Sequence, residues 1–392
     1  MNPGSATFAP KQRVGSYELL VEIGSGGTAT VGIAVYRGAA GFERLVVVKR
    51  MHRRLTRDQE FSAMLLDEAR LASSIRHANV VPVIDVVRTD DEVALVMEYV
   101  ESVSLAQLIG ASVHHGKKLH PAVVARILVD ALTGLHEAHE AVDMRRQPLG
   151  IVHRDVSPEN VIVGVDGVSR VIDFGIAKAA SRLARTQAGV VKGKCSYMAP
   201  EQVDGQLVDR RCDVFSAGIV LWEALTGARL FRGDDDFDEM RKVMQAPVPP
   251  PSTLTGGPPA IDAVAGTALA RPVGERFQTA RAFAHALEQA VPPAPPGIIA
   301  DHVVSLCGAE LEARHARLMS VLGDEVHRFS TLRSRSVVPR ASVAPAAPVA
   351  PAPIAATPST PPRPAPPWPM LAVVLVVSVL LGAGAAFAFL RH

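Results

Sequence analysis

Apolar positions along the chain fall into two rhythms. From Tyr17 to about Ala290, stretches of strand-like alternation interleave with stretches of helical spacing, which marks a folded domain at 16–290 behind a short polar leader at 1–15. The clearest strands are Tyr17 to Ile23, a second opening at Val31, the run RLVVVKRM at 44–51 and EVALVMEYV at 92–100. Between the last two lies a helical stretch, DQEFSAMLLDEARLASSI. Residues 291–369 then hold 16 of the 30 prolines, a density that favours an extended spacer and cannot build a packed core. One island inside it, about 300–322, places Val304, Cys307, Leu311, Leu318 and Leu322 roughly on one helical stripe. The stripe favours a helix packed on the main domain over a dimerising coiled coil. The chain ends with 370–390, a charge-free run that as a helix would extend about 31 Å, close to the roughly 30 Å hydrocarbon core of a bilayer.

Composition sharpens this picture only in places. Hydrophobic residues make up 48% and charged residues 20% of the 392, so a globular core is expected. A net charge of +2 argues against a nucleic-acid partner. The cysteines at 195, 212 and 307 have no paired spacing, which gives neither a disulfide framework nor a zinc site. Met1 to Arg13 lacks the apolar core of a secretory signal. Five arginines and no acidic residue lie between Val326 and Pro369, which places that flank of the apolar run in the cytoplasm. The expectation is a domain tail-anchored in the cytoplasmic membrane through 370–390, with only Arg391 and His392 beyond the span.

Candidate chemistry comes as an ordered series of motifs. Glycines at 24, 26 and 27 separate the first two strands, and a glycine hairpin lets backbone N–H groups approach phosphates where a Cβ would collide. Lys49 ends the 44–51 strand, and Glu68 follows on the helical stretch. An apolar run, Leu149 to Val152, enters HRDVSPEN at 153–160, and Asp173-Phe174-Gly175 comes after another strand-like run. YMAPEQ at 197–202, DVFSAG at 213–218 and RPVGERF at 271–277 complete the series. Any one of these has an ordinary structural explanation; their order and spacing do not.

The series resembles the bacterial, eukaryotic-like (Hanks-type) serine/threonine protein kinases over about 17–290. The resemblance implies an α+β, two-lobed fold with an antiparallel-sheet N-lobe and a mainly helical C-lobe. It implies transfer of the ATP γ-phosphoryl group to Ser or Thr hydroxyls of protein substrates. Asp155 would accept the hydroxyl proton, Lys49 paired with Glu68 would hold phosphates, and Asn160 and Asp173 would bind Mg²⁺, with Mn²⁺ as an alternative. The nucleotide would lie against Ile23, Gly24, Ser25, Gly26, Gly27 and Val31. Its adenine would meet Glu98 to Val100, behind Met97 as gatekeeper. In relatives Arg276 would pair with Glu201, and Asp213 would tie down the catalytic-loop backbone. A pseudokinase would have lost Lys49, Asp155 or Asp173, and a small-molecule phosphotransferase usually lacks an activation segment ending in Ala-Pro-Glu; this chain has all of these.

Three departures stand out. Ala29 replaces the third glycine of the loop. Ser157 stands where relatives carry a lysine, and Lys194 stands where they carry a threonine. The pair reads either as an exchange, Lys194 supplying the charge that Ser157 lacks, or as an exposed lysine facing acidic substrates. Activation-segment acceptors are Ser181, Thr186 and Ser196, with Thr186 preferred and Arg154 as the phosphate partner the resemblance implies.

Overall fold

A computed structural model describes residues 12–26, 29–52, 59–89, 92–174 and 195–335, with the side chains at 40, 59–62, 64, 65, 68 and 323–335 left out. Among these residues two lobes form. The first holds a six-stranded antiparallel sheet of β1 (Arg13–Val14), β2 (Tyr17–Ser25), β3 (Ala29–Arg37), β4 (Glu43–Met51), β5 (Val83–Arg88) and β6 (Val93–Glu98), in the order β1-β2-β3-β4-β6-β5. Alternation explains Val46 and Val48 of β4, which are buried on one face, while Met51 at the strand end is buried in a separate cluster with Ala29. β3 and β4 pair without a slip from Arg37↔Glu43 to Ala29↔Met51, which sets Val31 opposite Lys49. Helix α1 (Gln59–Ser73) packs on β5.

The hairpin between β2 and β3 is tighter than the glycine spacing suggests. Pairing runs on to Ser25↔Thr30, and the Gly26 N–H donates to the Ala29 carbonyl at 2.9 Å.

The second lobe is built around two helices. After β7 (Ser102–Ser104) come α2 (Leu105–His114) and α3 (Pro121–His139), then β8 (Val161–Gly164) and β9 (Ser169–Val171), which complete a β7-β8-β9 sheet. Ser104 caps α2 with a capping box closed by Gln107, and Pro121 stands in the first turn of α3, where a missing N–H costs nothing. α4 (Pro200–Val203), α5 (Arg211–Thr226), α6 (Asp236–Gln245), α7 (Pro251–Thr255), α8 (Ala260–Ala268) and α9 (Ala280–Ala290) follow. Every residue of α5 from Cys212 to Thr226 is buried, its polar Asp213, Ser216, Glu223 and Thr226 included, so this helix forms the axis of the lobe. At Gly134 on α3, a Cβ would stand 2.4 Å from the Asn79 carbonyl, so only glycine allows that approach.

The helix over the proline-rich region is longer than the expected island: α10 spans Pro296–Arg335. Pro296 is tolerated in its first turn, and no further proline occurs before Pro339. Its stripe also differs at the start. Val304 is exposed, and Ile299 and Val303 are buried instead, together with Cys307, Leu311 and Leu318. Residues 370–390 lie outside the described ones, among which no helix is long and apolar enough to cross a membrane.

Candidate active site

The site assembles where the lobes meet. Lys49 near the end of β4 places Nζ 2.8 Å from Asp173 Oδ2, with both side chains mostly buried. The expected partner Glu68 lies on α1, but its side chain is outside the described residues. Asp173 has φ +66 and Arg154 φ +65, a region where non-glycine residues are uncommon and cost on the order of 1–3 kcal/mol. Both flank the cleft, while the third such residue described, Arg146 at φ +61, lies in a turn with Asp143.

Phe174, next to Asp173, packs edge-on against His153 with ring centroids 4.7 Å apart. A narrow pocket lined by Ala72, Val81, Val83, Leu95, Met97, Asp173 and Phe174 sits behind it. Met97, the expected gatekeeper, lines this pocket together with Asp173 and Phe174. The Glu98 N–H donates to the Pro82 carbonyl at 3.1 Å, and the Val100 carbonyl accepts from Ser102 Oγ at 3.0 Å.

Asp155 is held by its neighbours rather than by its own element. Asn160 Nδ2 donates to the Asp155 carbonyl at 2.7 Å and to Oδ2 at 3.1 Å. The Asp155 N–H donates to His153 Nδ1, so His153 Nε2 carries the proton given to the Ile172 carbonyl at 2.8 Å. Ile172 N–H in turn donates to the Asn160 carbonyl at 3.0 Å, which links Asn160 to the residue before Asp173. Beneath the loop, Asp213 on α5 accepts from His153 N–H at 2.8 Å, Arg154 N–H at 2.7 Å and His139 Nε2 at 2.8 Å. Burial works against its ionised form, but His139, His153 and the Arg154 N–H outweigh it and hold its carboxyl below the ordinary range.

The floor of the activation segment is fastened separately. Tyr197 Oη donates to Glu223 Oε2 at 2.7 Å, and the Arg229 guanidinium lies 4.7 Å over the Tyr197 ring. Burial, with Glu223 alongside, pushes the Tyr197 phenol well up. Ser196 is fully buried and its Oγ accepts from Arg229 at 2.7 Å, so it is a poor acceptor for a phosphoryl group. Ser181, Thr186 and Lys194 lie outside the described residues. Ser157 is buried inside the loop, its carbonyl accepting from the Asn160 N–H at 3.0 Å.

Glu201 and Arg276 pair bidentately at 2.7 and 2.8 Å.

The comparisons with known proteins agree with this geometry. The family model described as a protein kinase domain matches residues 17–271. The chain belongs to the protein kinase family. It is 42% identical over 281 residues to the tyrosine-protein kinase MasK of Myxococcus xanthus, covering 71% of this chain and 43% of that one. It is 35% identical over 274 residues to the serine/threonine-protein kinase PknL of Mycobacterium tuberculosis, covering 69% and 65%. The chain thus spans about half to two thirds of the length of these relatives. Among solved structures, the PknI kinase domain of Mycobacterium tuberculosis superposes with a TM-score of 0.58 at 22% identity, covering 72% of this chain and 99% of that one, which shows the two-lobed fold.

Kinases of this family use ATP and Mg²⁺. The residues here fit both. A Cβ at Gly24 would meet no protein atom within 4 Å, so the hairpin leaves open space above the cleft. Asp173 and Asn160 offer hard oxygen donors of the kind Mg²⁺ takes. Ala29 explains its own departure from the glycine pattern: it is buried in a small core cluster with Met51, Ala69, Val93 and Leu95. Sequence reasoning missed His139, whose role depends on a contact 74 residues away, and Arg229, which seals Ser196.

Proposed function

We propose that the chain is a membrane-anchored protein kinase that transfers the γ-phosphoryl group of ATP to Ser or Thr hydroxyls of protein substrates. The observation that carries this reading is the Lys49–Asp173 contact across the cleft, beside an Asp155 oriented by Asn160. Asp155 Oδ accepts the proton of the attacking hydroxyl, a role that contributes about 10²–10⁴-fold. Lys49 neutralises phosphate charge from the N-lobe side. Asp173 and Asn160 would hold Mg²⁺, which when bound supplies charge neutralisation across the phosphates. Ile23, Gly24, Ser25, Gly26, Gly27, Val31, Glu98 and Val100 would line the nucleotide, and Glu68 would orient Lys49.

The test is transfer of labelled phosphate from Mg-ATP to a generic acceptor protein, followed by phosphoamino-acid analysis. Phosphoserine and phosphothreonine from wild type, absent in Asp155→Asn, support the reading. The 42% identity to a relative named as a tyrosine kinase favours a second one, which phosphotyrosine alone would establish.

Two finer proposals concern residues outside the described ones. Lys194 supplies the positive charge that Ser157 lacks. In a double-mutant cycle Lys194→Thr and Ser157→Lys should each impair transfer and together recover it, whereas additive losses refute the exchange. The run 370–390 anchors the chain, so removing 370–392 should move it to the soluble fraction with activity retained.

A further inference from the structure

Helix α10 lies beyond the residues that the kinase family model matches, yet it touches both lobes. Its lower half belongs to the C-lobe: Ile299, Val303, Cys307 and Leu311 are part of the large core cluster there. The start is fixed against the β8–β9 turn, where Gly167 has φ +77 and a Cβ would overlap the Pro296 carbonyl. Two turns above Leu311 the partners change. Leu318 is buried among Leu20 and Val21 of β2 and Ile33 and Val35 of β3, with Val321 and Leu322 packed beside it. From Ile299 to Leu318 the helix rises about 28 Å, enough to reach from one lobe to the other.

Between these anchors the helix grips the start of the C-lobe, just after the chain crosses from the first lobe. Arg314 Nη2 donates to the Ser102 carbonyl at 2.6 Å, and Gln107 Nε2 donates to Glu310 Oε1 at 2.7 Å. Tyr99, between Glu98 and Val100, also packs at the Leu318 cluster. Burial raises its phenol, while the charge and hydrogen bond of Arg314 pull the other way. Polar contacts thus fall on β7 and the first turn of α2, where the chain enters the C-lobe, and apolar ones on each lobe. A continuous helix cannot bend freely, so the lobes keep the angle that the anchors impose.

We infer that α10 is a strut that sets the lobe angle at the nucleotide cleft, with Arg314 and Leu318 as positioning residues for the Lys49–Asp173 contact. The inference rests on the kinase reading of the cleft. Neither residue touches the reacting groups; they act by holding β2 and β3 in place relative to β7 at the entry to the C-lobe.

The test uses the full chain in detergent, with calorimetric Kd for Mg-ATP and KM for ATP and for an acceptor protein. Arg314→Gln and Leu318→Ser should each raise the ATP constants about fivefold, the factor that corresponds to about 1 kcal/mol, while KM for the acceptor stays within twofold. Arg314→Lys, which keeps a donor for the Ser102 carbonyl, should recover most of the loss. Met319→Ser, on the exposed face of the same helix, should change nothing. If Leu318→Ser fails to fold, the Arg314 pair decides. ATP constants within twofold of wild type in Arg314→Gln, or an equal rise in Met319→Ser, overturn the strut even if thermal stability falls. Absence of Mg-ATP binding by the wild type would instead overturn the reading of the cleft.

Discussion

The two lobes handle charge differently. In the C-lobe, Asp213, Glu201, Arg276 and Glu223 are all buried and satisfied. Arg276 directs its five N–H groups at Glu201 twice and at the carbonyls of Ala270, Arg211 and Arg271, and its guanidinium lies 4.8 Å over the Phe215 ring. In the N-lobe, Arg44–Glu98 lies at the rim with both side chains more than two-fifths exposed, while Arg50–Glu92 and Arg37–Glu18 are partly buried. Buried pairs cost several kcal/mol to break, whereas exposed ones contribute about 0–1 kcal/mol. The buried C-lobe network is therefore committed to a single arrangement, whereas the exposed Arg44–Glu98 pair adds little to hold its own. Lys49 is the most buried cation among the described N-lobe ion pairs, and its partner Asp173 belongs to the other lobe.

The contrast can be broken experimentally, beginning with chemistry. Asp155→Asn should lower phosphoryl transfer about 10³-fold with an unchanged melting curve, since the loop is held by Asp213 and His153 rather than by the Asp155 charge. A lowered melting point would show that the loop depends on that charge. Next comes the buried pair: Arg276→Met leaves Glu201 buried and unpaired, and chemical denaturation should show a loss of about 3–5 kcal/mol. The matching N-lobe change, Arg44→Met, should cost less than about 1 kcal/mol. Equal losses would erase the distinction between the lobes.

The smallest effect is in pH. Asp213 has a folded pKa below its unfolded one, so its contribution is complete above the ordinary carboxylate range near pH 4 and is lost as pH falls through the folded value. Asp213→Asn should therefore flatten the acid limb of the stability curve below about pH 4, read from thermal melts across pH. An unchanged limb would show that other carboxylates dominate acid unfolding.

The chemistry was more legible in the sequence than the scaffolding. Lys49, Asp155, Asn160 and Asp173 belong to motifs whose spacing is set by short loops, and the structure gathers them at one cleft. The anchoring of Asp213 followed from the resemblance, but two of its three partners are backbone N–H groups that leave no trace in residue identity. The α10 stripe was read one position off at its start. The apolar run Ile298, Ile299, Val303 and Val304 allows two phases, and only packing against the C-lobe selects Ile299 and Val303. Arg314 carried no signal at all: its acceptor is a carbonyl 212 residues earlier.

The position of α10 in the chain also sets an order of events during synthesis. Asp173 leaves the ribosome well before Leu318, and at about 5–20 residues per second the interval is on the order of 10–30 s. For that time a nascent molecule holds every catalytic group while the helix that spans its lobes is still being made. A cleft whose lobes are fastened by a later segment would gain its ATP affinity only after that segment has followed the catalytic groups out of the ribosome.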